Sequence, residues 1–432
     1  MLQREAEHEQ FHALLCEQFE KYSGDALQAV RKKAWEKYLS VGLPSRRNEA
    51  YQYVPIRSLL ENPFSSLSNG AKILHNLSAH ICEEAHESHL VFVNGSYKPE
   101  LSCSKGLPSQ IIIMTLQEAM KSYSALLNNH WNRSLKDESD AFAAINAAVH
   151  SEGLFIYVPP KCRAAIPIQL LQVIDSEVGF PVIMPRVQIF VGAQAEVQFA
   201  CTAAATPNSN FACNQVIEIN VEEGAKVQVA QQVSCEGSHG WYFEALRGNV
   251  KRDASLQCVN LAHGDIPTRY DYNVKLLGEN SEALLHGISV LTKRREVHNH
   301  ILMEHHAPNC RSNQLFKSVL HDVSRSSFEG KILVQRIAQK TEAYQLNKTL
   351  LINDGAQAFS KPNLEIFADD VKASHGSTIG QLNHEHLFYL QARGFSFDYA
   401  RRLLIEGFCQ EVSQLACADS LANAFLKKIQ NN

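Results

Sequence analysis

Apolar residues recur along this chain with two different periods, and the changes of period divide it into three stretches. In the first, Phe11, Leu14, Leu15 and Phe19 fall at helical spacing, and so do Leu27, Val30, Ala34, Trp35 and Leu39. Gly42 followed by Pro44 stops the second of these helices. Leu90-Val91-Phe92-Val93 leading into Asn94-Gly95 reads as a strand entering a turn, and 119–146 as mostly helical. Residues 1–150 are therefore expected to form an N-terminal, mostly helical region.

From 151 to 380 the period drops to two. Ile217, Ile219 and Val221 alternate with polar residues, and Val227 and Val229 follow Gly224. Val187 to Val191, Leu256 to Leu261, Tyr272 to Leu277, Lys331 to Val334 and Leu364 to Phe367 add further short runs. Alternation broken by Gly, Asn and Asp predicts strands. More than ten in one array suit a barrel, a stacked sandwich or a β-solenoid, and no strict letter repeat chooses among them. In 381–432 the helical period returns. Asn383 is placed to cap a helix ended by Gly394, then Tyr399, Leu403, Phe408, Val412 and Leu415 share one stripe, and a third helix is expected from Ser420 to Ile429.

Length and composition narrow what this array can be. At 432 residues the chain is long enough for two or three units and for a large core without disulfide staples. Forty-one Lys+Arg against 45 Asp+Glu leave a formal net charge of -4, which is no footprint for nucleic acid or an anionic membrane surface. The opening MLQREAEHEQ carries glutamates rather than an apolar signal, and the longest apolar run, Ile111 to Leu116, is far below the ~20 residues that cross a bilayer. Eleven cysteines, odd in number and without C-x-x-C spacing, predict a reduced, cytoplasmic protein whose thiols are small buried hydrophobes.

Three places carry candidate chemistry. His8-Glu9-Gln10-Phe11-His12 spells H-E-x-x-H, which on a helix sets two imidazoles one turn apart for zinc; the plainer reading is a solvated amphipathic helix packed through Phe11. His298, His300, His305, His306 and Cys310 cluster in sequence, and on a strand His298 and His300 share a face; this supports, as an alternative, a metal-dependent enzyme using His298, His300 and His305. The stretch 360–380 packs polar and charged residues at the end of the β array, with His375 before Gly376 and with Asp369 and Asp370 as candidates to orient the imidazole. Walker A, dinucleotide and nucleophile-elbow motifs are all missing.

That last stretch, K-P-x-L-E-I-x-A-D-D-V-x-x-S-H-G-x-T-x-G over Lys361 to Gly380, resembles the SufB/SufD scaffold family of iron–sulfur cluster assembly, in its SufD form. The resemblance extends through Leu387-Phe388-Tyr389-Leu390, Arg393-Gly394 and 400–408. Upstream it takes in Glu304-His305, Ser312, Lys317, Phe328-x-Gly330-x-Ile332 and Thr341-x-Ala343-x-Gln345-x-Asn347. Near the start it covers Leu43-Pro44-x-Arg46-x-x-Glu49-x-x-x-Tyr53-x-Pro55.

The resemblance implies a mainly β fold, a right-handed parallel β-helix core between N-terminal and C-terminal helical regions. It implies a non-catalytic scaffold that pairs with SufB through the β-helix, forms a homodimer when alone, and docks the SufC ATPase on its C-terminal helices. Leu387, Phe388, Tyr389, Arg393, Leu403 and Phe408 are the docking candidates. The implied cofactor is a transient iron–sulfur cluster at the subunit interface, with reduced flavin on the complex, and His375 is the metal ligand shared with SufB. Two positions depart from the family pattern. Ala373 stands where some members carry a cysteine, and a His-x-Asp pattern reads Glu296-Val297-His298-Asn299-His300 here.

Overall fold

In the computed structural model, residues 2–22, 24–65, 77–151, 153–176 and 178–430 are described, with side chains of the first helix from Gln10 onward. Two ten-stranded sheets face each other, and the chain passes from one to the other and back, so that neighbouring strands of a sheet are parallel and far apart in sequence, apart from one antiparallel pair at the starting edge of each sheet. This is a parallel β-solenoid of about 8 turns. Register is strict. Lys226 stands beside Ser255, Ser255 beside Glu282, Glu282 beside Arg311 and Arg311 beside Glu342, so each rung consumes close to thirty residues.

The period-2 pattern explains the interior. One set of alternate positions, among them Phe199, Val229, Cys258 and Leu285, points between the sheets into a continuous apolar core. Left-handed residues turn the corners: Lys161, Gln194, Gly224, Asp253, Asn280, Asn309 and Lys340 all have φ between 55° and 66°. Each donates its N–H to a carbonyl of the following rung, as Gly224 does to Arg252 at 2.9 Å and Asn309 to Gln339 at 2.9 Å. Gly is permissive here; Asn and Asp tolerate it, and Lys and Gln accept the strain because the stacked hydrogen bond compensates.

Helices coat both outer faces. Among the described residues these are α1 (Leu2–Lys21), α2 (Gln28–Val41), α3 (Ile56–Leu60), α4 (Leu116–Ser122), α5 (Ser124–Asp137), α6 (Ala141–Val149), α7 (His384–Gln391), α8 (Phe397–Ser413) and α9 (Asp419–Gln430). The stops and caps read from sequence are present: Gly42 has φ 72° and closes onto Tyr38, and the Asn383 side chain accepts from the N–H groups of Glu385 and His386. The apolar helix α6 is buried along its whole length, started by Asp140 and finished by Arg31, whose guanidinium donates to the carbonyls of Ala148, His150 and Ser151. It presses α2 and α5 onto one sheet, against Phe155, Phe190, Trp241 and Phe243. On the opposite sheet α8 and α9 cover Ala200, Ala230, Val259, Ile288 and Val319. The solenoid already begins inside the first 150 residues, since strand His89–Val93 pairs in parallel with Ile168–Ile174. No described helix is long and apolar enough to cross a membrane.

Candidate functional site

The signature stretch forms the rung at which the solenoid stops. Gln357–Ile366 ends one sheet and Val371–Gly380 ends the other, each paired on one side only. The strands of the preceding rung still bury alternate positions, whereas neither of these two has a fully buried residue. The inward-facing positions of the last rung thus line an open mouth.

His375 sits at that mouth. Its Cα partner on the preceding rung is Gln345, which faces the interior together with Ala343 and Asn347. The imidazole is exposed, and no hydrogen bond or ion pair engages it among the described residues. Around it the mouth is polar: Asn347 Nδ2 donates to Ser360 Oγ at 2.8 Å, and the Ser377 hydroxyl donates to the same oxygen at 2.8 Å. Ala373, on the same column side, packs at the rim of the core and brings no thiol. Asp369 and Asp370 lie on the corner before the strand, where the Asp370 N–H donates to Gln339 Oε1 at 2.9 Å. Five and six residues of extended chain separate them from His375, about 16–20 Å at ~3.3 Å per residue, so they do not reach the imidazole.

A segment of the N-terminal region braces this rung. Glu49 forms an ion pair with Lys361, and the Tyr53 ring stacks on Phe359 with centroids 4.1 Å apart. Deeper in, Arg269 lies 4.1 Å from the centre of the Tyr51 ring, donates to the Ala50 carbonyl at 2.9 Å and pairs with Asp271 at 2.6 Å. Burial alone would push the Asp271 carboxyl upward, but the Arg247 guanidinium, with His300 and Arg269, holds it well below the usual carboxylate range. Nothing in residue spacing announces this network, because its members come from four separate segments.

The three histidines of the alternative enzyme are not brought together. His298 and His300 share the outer face, where His298 meets Ser327 Oγ at 2.8 Å and His300 meets Asp271 at 2.8 Å. His305 turns inward instead and meets Ser312 Oγ at 2.8 Å; burial pushes its imidazole down to about 4. Each imidazole is engaged by a neighbouring side chain instead of by a shared metal site. His8 and Glu9 lie outside the residues whose side chains are described. His12 contacts the Tyr38 hydroxyl at 2.9 Å and stacks over Trp35. All eleven cysteines are free thiols and eight are buried; burial raises Cys82 and Cys409 to about 12, so these are inert. Among the described residues no three His, Cys, Asp or Glu side chains come close enough to hold a metal ion.

The C-terminal candidates divide. Leu387 is buried, while Phe388 is 72% and Tyr389 55% exposed, with the Arg393 guanidinium 4.4 Å above the Tyr389 ring. Leu403 is exposed. Phe408 is instead an internal contact: the buried Lys317 ammonium lies 4.3 Å from its ring and donates to its carbonyl at 2.8 Å, and also pairs with Glu411. Exposed Phe395, Phe397 and Tyr399 extend the apolar patch beyond the residues singled out from sequence.

Comparison with known proteins gives a consistent picture. Residues 173–408 match the family described as SUF system FeS cluster assembly, SufBD core domain, and residues 4–170 match the SufBD protein N-terminal region. The chain is 29% identical over 385 residues to an iron–sulfur cluster assembly SufBD family protein of Synechocystis, covering 86% of this chain and 84% of that one. It is 30% identical to the chloroplastic protein ABCI7 of Arabidopsis thaliana, covering 89% and 82%. It is 26% identical to the iron–sulfur cluster assembly protein SufD of Escherichia coli, covering 98% and 95%.

Proposed function

Since the chain belongs to the SufBD family of iron–sulfur cluster assembly proteins, we propose that it works as a scaffold subunit: it joins a SufB partner at the open rung and lends His375 to a cluster held between them. The observation that carries this reading is the position of His375, an imidazole on the exposed last rung that meets no partner among the described residues, beside a strand edge that none of them pairs. A free strand edge is a template for pairing with another chain. One imidazole cannot hold a cluster, and no three potential ligands meet among the described residues, so the other ligands come from the partner.

The chemistry suits a cargo rather than a resident cofactor. Imidazole is a weaker ligand to iron than thiolate and raises cluster potential, which favours release to an acceptor. With Ala373 on the same strand, this chain supplies no thiolate there. The exposed patch of Phe388, Tyr389 and Leu403 is the surface on which the SufC ATPase docks, and the scaffold itself turns over no substrate. The test is co-expression with SufB and SufC followed by anaerobic reconstitution: His375→Ala abolishes the visible charge-transfer bands of the complex while leaving the subunits associated. Undiminished bands in that variant overturn the assignment.

A further inference from the structure

Gln345 lies directly beneath His375, one rung inside the mouth, on the inward column that continues to Gln314 and Leu285. It is 2% exposed. Its amide nitrogen donates to Gln314 Oε1 on the rung behind at 2.9 Å, while its amide oxygen, like Gln314 Nε2, is buried and has no hydrogen-bond partner among the described residues. A buried amide oxygen left without a donor is costly, so such an atom marks a place where a donor belongs. With the nitrogen committed backward, the oxygen is left for the rung ahead, and the residue on that rung is His375. Adjacent strands are ~4.8 Å apart, within reach of an imidazole N–H that rotates into the column.

The surroundings hold this amide in place. On the facing strand Arg325–Val334, a Cβ at Gly330 would lie 2.4 Å from Gln345 Nε2 and 2.6 Å from the Phe328 ring. Only glycine leaves room there. The family-like residues Gln345 and Gly330 thus act as a pair, one the amide and the other the space it occupies.

We infer that Gln345 is the positioning residue for His375. Its amide oxygen accepts an imidazole N–H, which selects one tautomer and leaves the lone pair of the other ring nitrogen directed out of the mouth toward iron. The purpose of this contact rests on the reading of His375 as a cluster ligand; the hydrogen bond itself does not. Long-range proton–nitrogen spectra of the full chain labelled with 15N-histidine report the tautomer directly. His375 shows one dominant tautomer, whereas the exposed His384 and His386 show the mixture of free imidazole. Gln345→Leu moves His375 to that mixture, and Gln345→Glu, which still accepts, keeps the bias; a thermal melt verifies that both variants fold. In the co-purified complex Gln345→Leu lowers cluster yield about tenfold, the lower end of what loss of a ligand-orienting partner costs, and it adds nothing to His375→Ala. A tautomer ratio indifferent to Gln345→Leu overturns the inference. A ratio that responds, together with full assembly in His375→Ala, supports the hydrogen bond and sinks the ligand assignment alone.

Discussion

Strands Lys226–Ser234 and Val371–Gly380 occupy equivalent places in the same sheet, yet the first has a neighbour on both sides and the second on one. In the closed rungs, several inward polar groups satisfy each other. Gln231 bonds both Glu244 and the Tyr272 hydroxyl, and the Tyr242 hydroxyl donates to Gln215 at 3.1 Å. At the open end the same kind of inward column finishes on the Gln345 amide oxygen, one rung in and unmet among the described residues, and on the exposed imidazole of His375. A polar residue inside the stack is therefore structural, and the same residue where stacking runs out is free to do chemistry.

The contrast is sharpest for apolar side chains. Phe199→Ala, in a closed rung, should cost about 3–5 kcal/mol in denaturant unfolding, from lost transfer energy plus the cavity. Ile379→Ala, 46% exposed on the last rung, should stay within about 0.5 kcal/mol. Equal losses would erase the distinction between the two regions.

Buried charge gives the next largest effect. Burial pushes the Glu244 carboxyl up to about 8, against 4.5 for the free side chain. Between those values the native chain holds a proton that the unfolded chain has released, so stability is full below pH 4.5 and falls as pH rises to 8, by up to ~1.4 kcal/mol per pH unit. Melting temperatures measured from pH 5 to pH 8.5 should decline, and Glu244→Gln should flatten that decline. An unchanged slope in the variant would place the titration elsewhere.

A smaller effect separates the two halves of the C-terminal helices. Lys317 anchors α8 through Phe408 and Glu411, while α7 exposes Phe388 and Tyr389. Lys317→Met orphans the Phe408 carbonyl it served and should cost about 1–3 kcal/mol. Hydrogen exchange should accelerate in 403–413 and stay unchanged in the strands beneath. Uniform acceleration throughout would mean that the helices and the solenoid unfold as one unit.

Much of this was legible in residue order, for physical reasons. Period-2 alternation predicts strands because each inward residue meets a core, and Gly42, Asn383 and Gly394 mark helix ends because backbone geometry demands them there. The resemblance pointed to the last rung and to His375. The solenoid repeat stayed hidden because its corner is a conformation rather than a letter: Lys161, Gln194, Gly224, Asp253 and Asn309 share a left-handed turn and no chemistry. Asp369 and Asp370 looked like partners of His375 by proximity in sequence, but an extended strand carries neighbours apart. Gln345, thirty residues away, is the one that register brings beside it.

Those stacked corners also set how such a chain can change its length. Each corner hands one hydrogen bond to the next rung, and every strand repeats the same inward phase. Adding or removing a whole rung leaves the columns aligned and merely moves the mouth along the axis. A single residue inserted within a strand turns every side chain after it inside out up to the next corner. Length is therefore quantised in rungs, and His375 keeps its post only because the count before it is whole.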